Sequence, residues 1–280
     1  TCNEYDEYIG HFSIPEQVTY NSKVYNVVAI GNQAFHGNYG LTSISIPNTI
    51  KTIGTNALSC TYLKSVTIPE SVTSVGEYAF VECDNLTTVY FNAIDCPKMG
   101  SINYTAFKGC DKLTNVYFGK KVKIIPDYGF INCTGLTSVT IPDSVTTIGC
   151  WAFEACTNLK SVNMGNSVIN ISGRAFSECN SLLSITLPIT LKLIGDYAFF
   201  NCDKLTTVTI PESVDSIGER VFQSCNGLKS VNYNAKNCIG EFIFGNCEAL
   251  QTVIFGDSVQ IIPANCFCEC SSLTSLSIPE

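Results

Sequence analysis

The sequence predicts a solenoid: a curved superhelical rod of short stacked coils, with one long parallel β-sheet on one side. Short second extended segments and short helical or 3₁₀ turns make up the other sides. Three observations predict it. Leu recurs at 41, 63, 86, 113, 136, 159, 182, 205, 228, 250 and 273, a period of 23 residues with two units of 22 and one of 27. Inside each unit a short alternation of apolar and polar residues is cut off by Pro or Gly. No Ser- or Gly-rich spacer, block of like charge or shift of composition separates the units. A fixed period of this size marks a quasi-one-dimensional stack, not two ordinary globular domains. All 280 residues therefore read as a single domain.

Numbered from its Leu, a unit carries Val or Ile at place 4, Ile at 6, often Pro at 7, Val at 10, Ile at 13, Gly at 14, Ala at 17, Phe at 18 and Cys at 21. Apolar 4 and 6 flank polar 5, the period-two mark of a strand with one buried face. Pro69, Pro142, Pro188 and Pro211 cannot donate to a ladder and end it. Places 10 to 13 read as a second extended piece, closed by the Gly at 14. The remainder, as in "GEYAFVECDN", spaces Ala, Phe and Cys as a single helical or 3₁₀ turn would. No unit this small buries its own Leu, Ile and Phe, so like positions must stack into columns, with strands roughly 4.7–4.9 Å apart and a sheet about 50 Å long.

Residues 1–40 read as an N-terminal cap and first repeat, with "TYNSKVYN" inserted as a hairpin. Residues 41–272 hold ten repeats, and 273–280 a truncated last strand. Two units, 86–112 and 228–249, replace the Pro turn with Asn-Ala and add Cys96 and Cys238 at place 11. The first is also longer, so a loop should protrude over 92–105, and such loops often carry function.

The unit "L-x-S-V-T-I-P-x-S-V-T-x-I-G-x-x-A-F-x-x-C" resembles the BspA-like class of leucine-rich repeats, closely over 41–280 and loosely over 12–40. The resemblance implies a right-handed leucine-rich-repeat solenoid, usually exported, with roles in adhesion to host proteins or other cells. It supplies no catalytic residue. The chain begins at Thr1 without Met or an apolar signal segment, so an export signal or anchor is expected to lie outside it.

Ten of the sixteen cysteines form a ladder at place 20 or 21: Cys60, Cys83, Cys110, Cys133, Cys156, Cys179, Cys202, Cys225, Cys247 and Cys270. Side chains stacked in parallel point the same way and do not converge as a disulfide needs, so these read as free thiols packed as small apolar groups. Their spacing also lacks the tight pairs of zinc sites. "CFCEC" at 266–270 is the one local cluster; Cys2 and Cys150 stand alone.

Composition narrows function. A net charge of −8 with no Lys/Arg cluster argues against nucleic acid, and no apolar run approaches the roughly 20 residues of a membrane helix. The only histidines, His11 and His36, sit in the cap region, which removes most Ser-His-Asp, Cys-His and catalytic zinc arrangements from the regular coils. The carboxylates at place 8, Glu70, Asp143, Glu212 and Asp257, come from non-adjacent coils and read as a solvated edge. No enzyme, cofactor or metal is called for. If places 4 and 6 face inward, places 3 and 5 cover the sheet with Ser, Thr and Asn, Thr67 and Thr140 among them. Two consecutive coils put Tyr90 and Tyr117 there instead, side by side and beside the loop. Exposed aromatics are the usual anchors of binding surfaces. Tyr128 and Trp151, adjacent at place 16, form a second candidate patch. A protein partner is the first reading; a carbohydrate stacked on either patch is the alternative, and a structural spacer the third.

Overall fold

The structure is a computed structural model and describes residues 8–236 and 238–278. It is a parallel solenoid with three sides. The first side carries the strands of places 3 to 6. Their register matches like with like: Thr67, Tyr90 and Tyr117 align, as do Val66, Val89 and Val116. Each strand alternates exposed and buried residues, as in Ser65–Ile68 and Thr207–Ile210. This ladder is not one continuous sheet but four segments. At two joins a single long backbone bond crosses, Lys64 N to Thr42 O and Thr206 N to Leu183 O, both 3.4 Å. At the third, between Asn115–Phe118 and Ser138–Thr140, no backbone bond crosses. That join coincides with the change at place 6 from Phe91 and Phe118, packed edge-on, to the smaller Ile141.

The second side is a narrower ladder of two-residue strands. It runs over Ile124–Ile125, Thr147–Ile148, Asn170–Ile171, Leu193–Ile194 and Ser216–Ile217, with an earlier three-stranded run from Ala29–Ile30. Gly149 ends its strand where a Cβ would come within 2.5 Å of the Asp127 amide nitrogen, so the coils touch backbone to backbone.

The third side corrects the sequence reading. Among the described residues it holds no helix, only successive turns. Trp151 and Ala155 take φ of 54° and 55°, and the equivalent residues of the other regular coils do the same. Left-handed residues at every fourth position stop a right-handed helix from propagating. They also split the amides. Ala152, Glu154 and Cys156 bond back within the coil, whereas Trp151, Phe153 and Ala155 donate to Gly173, Ala175 and Ser177 of the next. A helix would have kept these amides to itself; the turns spend them on a third ladder between coils. The amides of this side that leave the coil all point forward along the chain. Those at places 2, 11 and 14, for example Lys160 to Thr137, Lys192 to Ile169 and Gly149 to Ile125, point backward.

Inside, like stacks on like. From Phe80 to Phe267 each coil adds a phenyl ring, centroids 4.9–5.7 Å apart and planes within 14°. The leading Leu residues from Leu41 to Leu250 are fully buried. Burying each such side chain stabilises by about 1.5–3 kcal/mol, which a single coil could not achieve alone.

Two projections depart from the regular coil. Gln17–Tyr20 and Lys23–Asn26 pair antiparallel around Asn21 and Ser22, both with positive φ, as a tight hairpin turn requires. The longer unit forms a small hairpin, Gly100–Ser101 with Tyr104–Thr105, while Met99 drops into the core as a column residue.

Candidate functional site

The six residues singled out by sequence fall on two different sides. Thr67, Tyr90 and Tyr117 lie in register on neighbouring strands of the first side, all exposed. Tyr90 and Tyr117 stack with centroids 5.3 Å apart and planes 19° apart, yet stay 43% and 53% exposed. Stacking at this distance fixes two rings that would otherwise rotate freely, while their edges remain in water. Thr140 occupies the same place one coil on, across the open join.

Tyr128 and Trp151 stack at 5.3 Å on the turn side, both half-buried. They begin a column of flat groups at place 16: further along, Arg174 lies 4.6 Å from the Tyr197 ring, and Arg220 sits between Tyr197 and Phe242. Arg174 also pairs with Glu154 at 3.5 Å. Burial raises the Glu154 carboxyl pKa above its usual range, against the pull of Arg174. This column covers the core at least as much as it offers a surface.

The protruding hairpin is not beside the Tyr pair, contrary to expectation. It packs at the corner of the turn side, where Ser101 donates to Glu77 at 2.8 Å and the Tyr104 ring meets Tyr78 edge-on at 5.2 Å. The extra residues enter after Met99, on the second side of the coil, not after the strand that carries Tyr90.

Three features escaped the sequence reading. The open join forms a cleft of about 280 Å³ lined by Asn115, Val116, Tyr117, Phe118, Ser138, Thr140 and Pro142. The Phe-to-Ile change at place 6 was its only sequence signal. Next, the two Asn-Ala coils draw their turns inward, burying Ala93, Cys96, Ala235 and Cys238. Residues two coils apart then meet across each notch: Lys121 with Glu70 at 2.9 Å, and Ser258 with Glu212. Glu212 and Asp257 thus line one cavity despite coming from non-adjacent coils, so this part of the edge is not simply solvated. Finally, Tyr39 and Tyr62 form an exposed edge-on pair at 5.6 Å.

The fifteen described cysteines are free; Cys2 lies outside the described residues. Most thiols of the ladder donate to the carbonyl of the Phe or Leu stacked one coil back, Cys156 to Phe130 at 3.2 Å and Cys179 to Phe153 at 3.3 Å. Burial pushes the Cys96 and Cys156 thiols up to about 12. Cys60 is not part of this ladder. It stands at place 20, equivalent to Ala155, so Thr61 at place 21 takes the buried position and Cys60 is left half-exposed, facing Glu82. In "CFCEC", Cys266 is buried, Cys268 exposed and Cys270 half-buried. Among the described residues no three His, Cys, Asp or Glu side chains converge as a metal site would need, and no helix is long and apolar enough to cross a membrane. His11 hydrogen-bonds Ser43 at 2.8 Å and Ser45 at 3.3 Å, and His36 bonds Ser59 at 2.6 Å.

No curated protein matches the chain. Among solved structures it is similar to a leucine-rich cell surface protein from Faecalibacterium prausnitzii: 27% identity, 98% of this chain and 76% of that one covered, TM-score 0.51. It is also similar to a leucine-rich repeat protein from Bacteroides ovatus, with 22% identity, 90% and 91% covered, and TM-score 0.48. The family profile described as a BspA type leucine-rich repeat region matches in six copies over residues 9–135, 100–229 and 192–280. With like side chains stacked coil upon coil across that whole span, the chain belongs to the BspA-type leucine-rich repeat family.

Proposed function

We propose that this chain is a non-enzymatic adhesion module, displayed outside the cell, that recognises a protein partner through the first side of the solenoid. The observation that carries the reading is the stacked, exposed Tyr90–Tyr117 pair set in an otherwise small and polar face. Hot spots concentrate on immobilised aromatic groups ringed by near-neutral contacts, and Ser, Thr and Asn supply such a ring. Preorganisation adds to this, because stacked rings lose little freedom on binding. The similarity to a cell surface protein supports the extracellular setting. Within the cap of residues 1–40, residues 8–40 cover the first coils, and residues 1–7 lie outside the described residues.

Capture from extracellular-matrix and cell-surface protein extracts tests this, comparing the parent with Tyr90→Ala/Tyr117→Ala. Loss of both rings should weaken the captured interaction by more than about tenfold while the circular dichroism stays that of the parent. Undiminished capture by the double variant would place the binding surface elsewhere.

A further inference from the structure

We propose that the cleft between Asn115–Phe118 and Ser138–Thr140 is a binding site for one ring of a neutral pyranose sugar, stacked on the free face of Tyr117. This shares Tyr117 with the protein-binding reading but does not rest on it.

The geometry begins with the ring pair. Tyr90 and Tyr117 stack nearly parallel, so each has one covered and one free face. Register puts Thr67 on the far side of Tyr90, so the free face of Tyr117 looks along the rod toward the coil that bears Thr140. There the strands part, and Tyr117 and Thr140 become walls of the same cleft. The stack serves as a positioning device, because Tyr90 holds the Tyr117 ring upright over the opening.

The chemistry of the walls selects the occupant. Asn115, Ser138 and Thr140 bring hydrogen-bonding side chains. The two strand edges add backbone amides and carbonyls with no partner across the gap. A purely apolar occupant would leave these groups desolvated and unmatched, which is costly. A pyranose matches both surfaces: its C–H face lies on the aromatic ring, and its hydroxyls both donate and accept at the edges. No charged side chain lines the cleft, and the chain carries a net charge of −8, so an anionic sugar would gain nothing and would be repelled. Size completes the selection. At about 280 Å³ the cleft falls just below the range of drug-sized pockets, which limits it to a single ring with its neighbours outside.

The test is calorimetric titration and saturation-transfer NMR of the whole chain. The probes are methyl glycosides and short linear oligomers of glucose, galactose, mannose, fucose and N-acetylglucosamine, with a sialylated trisaccharide as the anionic control. At least one neutral sugar should bind saturably with a Kd on the order of 1 mM, and the anionic control should not. Tyr117→Ala should weaken binding at least about tenfold, and Tyr117→Phe by less than about threefold. Thr140→Phe, which fills the cleft but leaves Tyr117 in place, should abolish it. Tyr20→Ala, an exposed aromatic on the N-terminal hairpin, should leave it unchanged. No saturable binding by any neutral sugar, or full binding by Thr140→Phe, overturns the proposal. Because the probes contain no protein, that failure leaves the capture experiment with Tyr90→Ala/Tyr117→Ala to judge the protein partner separately.

Discussion

Cys156 shows what the repeat asks of one residue. Its backbone amide bonds the carbonyl of Phe153 in its own coil, and its thiol bonds that of Phe130 one coil back. The sequence alone led to free, buried thiols, from the argument that parallel side chains do not converge. It did not reveal the thiol as a donor between coils, because one unit viewed alone offers no carbonyl there. Burial holds the thiol up to about 12 against an ordinary 9.0. The sign follows. The folded chain keeps its proton where the unfolded chain has lost it, so stability is full below pH 9 and is lost as pH rises from about 9 to about 12. The slope is near 1.4 kcal/mol per pH unit per thiol. Denaturant titrations at pH 8, 9.5 and 11 should show that decline, and Cys156→Ala should make it shallower. A thiol reagent added to the native chain should label Cys268 quickly, Cys60, Cys150 and Cys270 slowly, and the buried remainder of the ladder only on unfolding. Fast labelling of Cys156, read by peptide mapping, would contradict this packing.

At the scale of the element, the strands were legible and the turns were not. Alternation at places 4 to 6 and the Pro at 7 follow from side-chain burial, which sequence displays directly. The left-handed residues of the turn side include Tyr78, Trp151, Ala155 and Glu178, and only Gly37 and Gly109 among them are glycine. Asn132, Asn201 and Asn246 are of a type that takes positive φ readily, but the Tyr, Trp, Arg and Glu at equivalent places are not, and the spacing fits a helical turn equally well. What imposes the conformation is the neighbouring coil, whose carbonyls accept the alternate amides. The strain is measurable. Ala155→Gly relieves a left-handed cost of about 1–2 kcal/mol and gives back about 0.5–1 kcal/mol through the freer unfolded chain, for a small net stabilisation. The denaturation midpoint should rise, and Ala155→Val should lower it. The candidate site divides along the same line. The Tyr pair could be read from place 5, whereas the cleft beside it depends on where the strand ladder parts between coils, which no single unit displays.

For the whole molecule, stability is a sum over coils and the contacts between them. Removing residues 159–181, one complete unit, joins two coils with matching columns. That shortened chain should fold, with a denaturant dependence lower by roughly a tenth. Removing 86–112 instead takes away Tyr90, Phe91 and the small hairpin together, and should abolish capture through the aromatic pair even where folding survives. The overall architecture was readable because repetition makes one local reading count many times. The notches at the two Asn-Ala units were not, since they arise from residues two coils apart meeting across a recessed third.

The opposed amide rows have an electrical outcome. In an α-helix every peptide dipole points the same way, and the ends gather about half an elementary charge of each sign. Here the turn side sends alternate amides forward while places 2, 11 and 14 send theirs backward. Each further coil therefore adds nearly cancelling vectors, and a longer rod builds no axial field for duplicated units to work against.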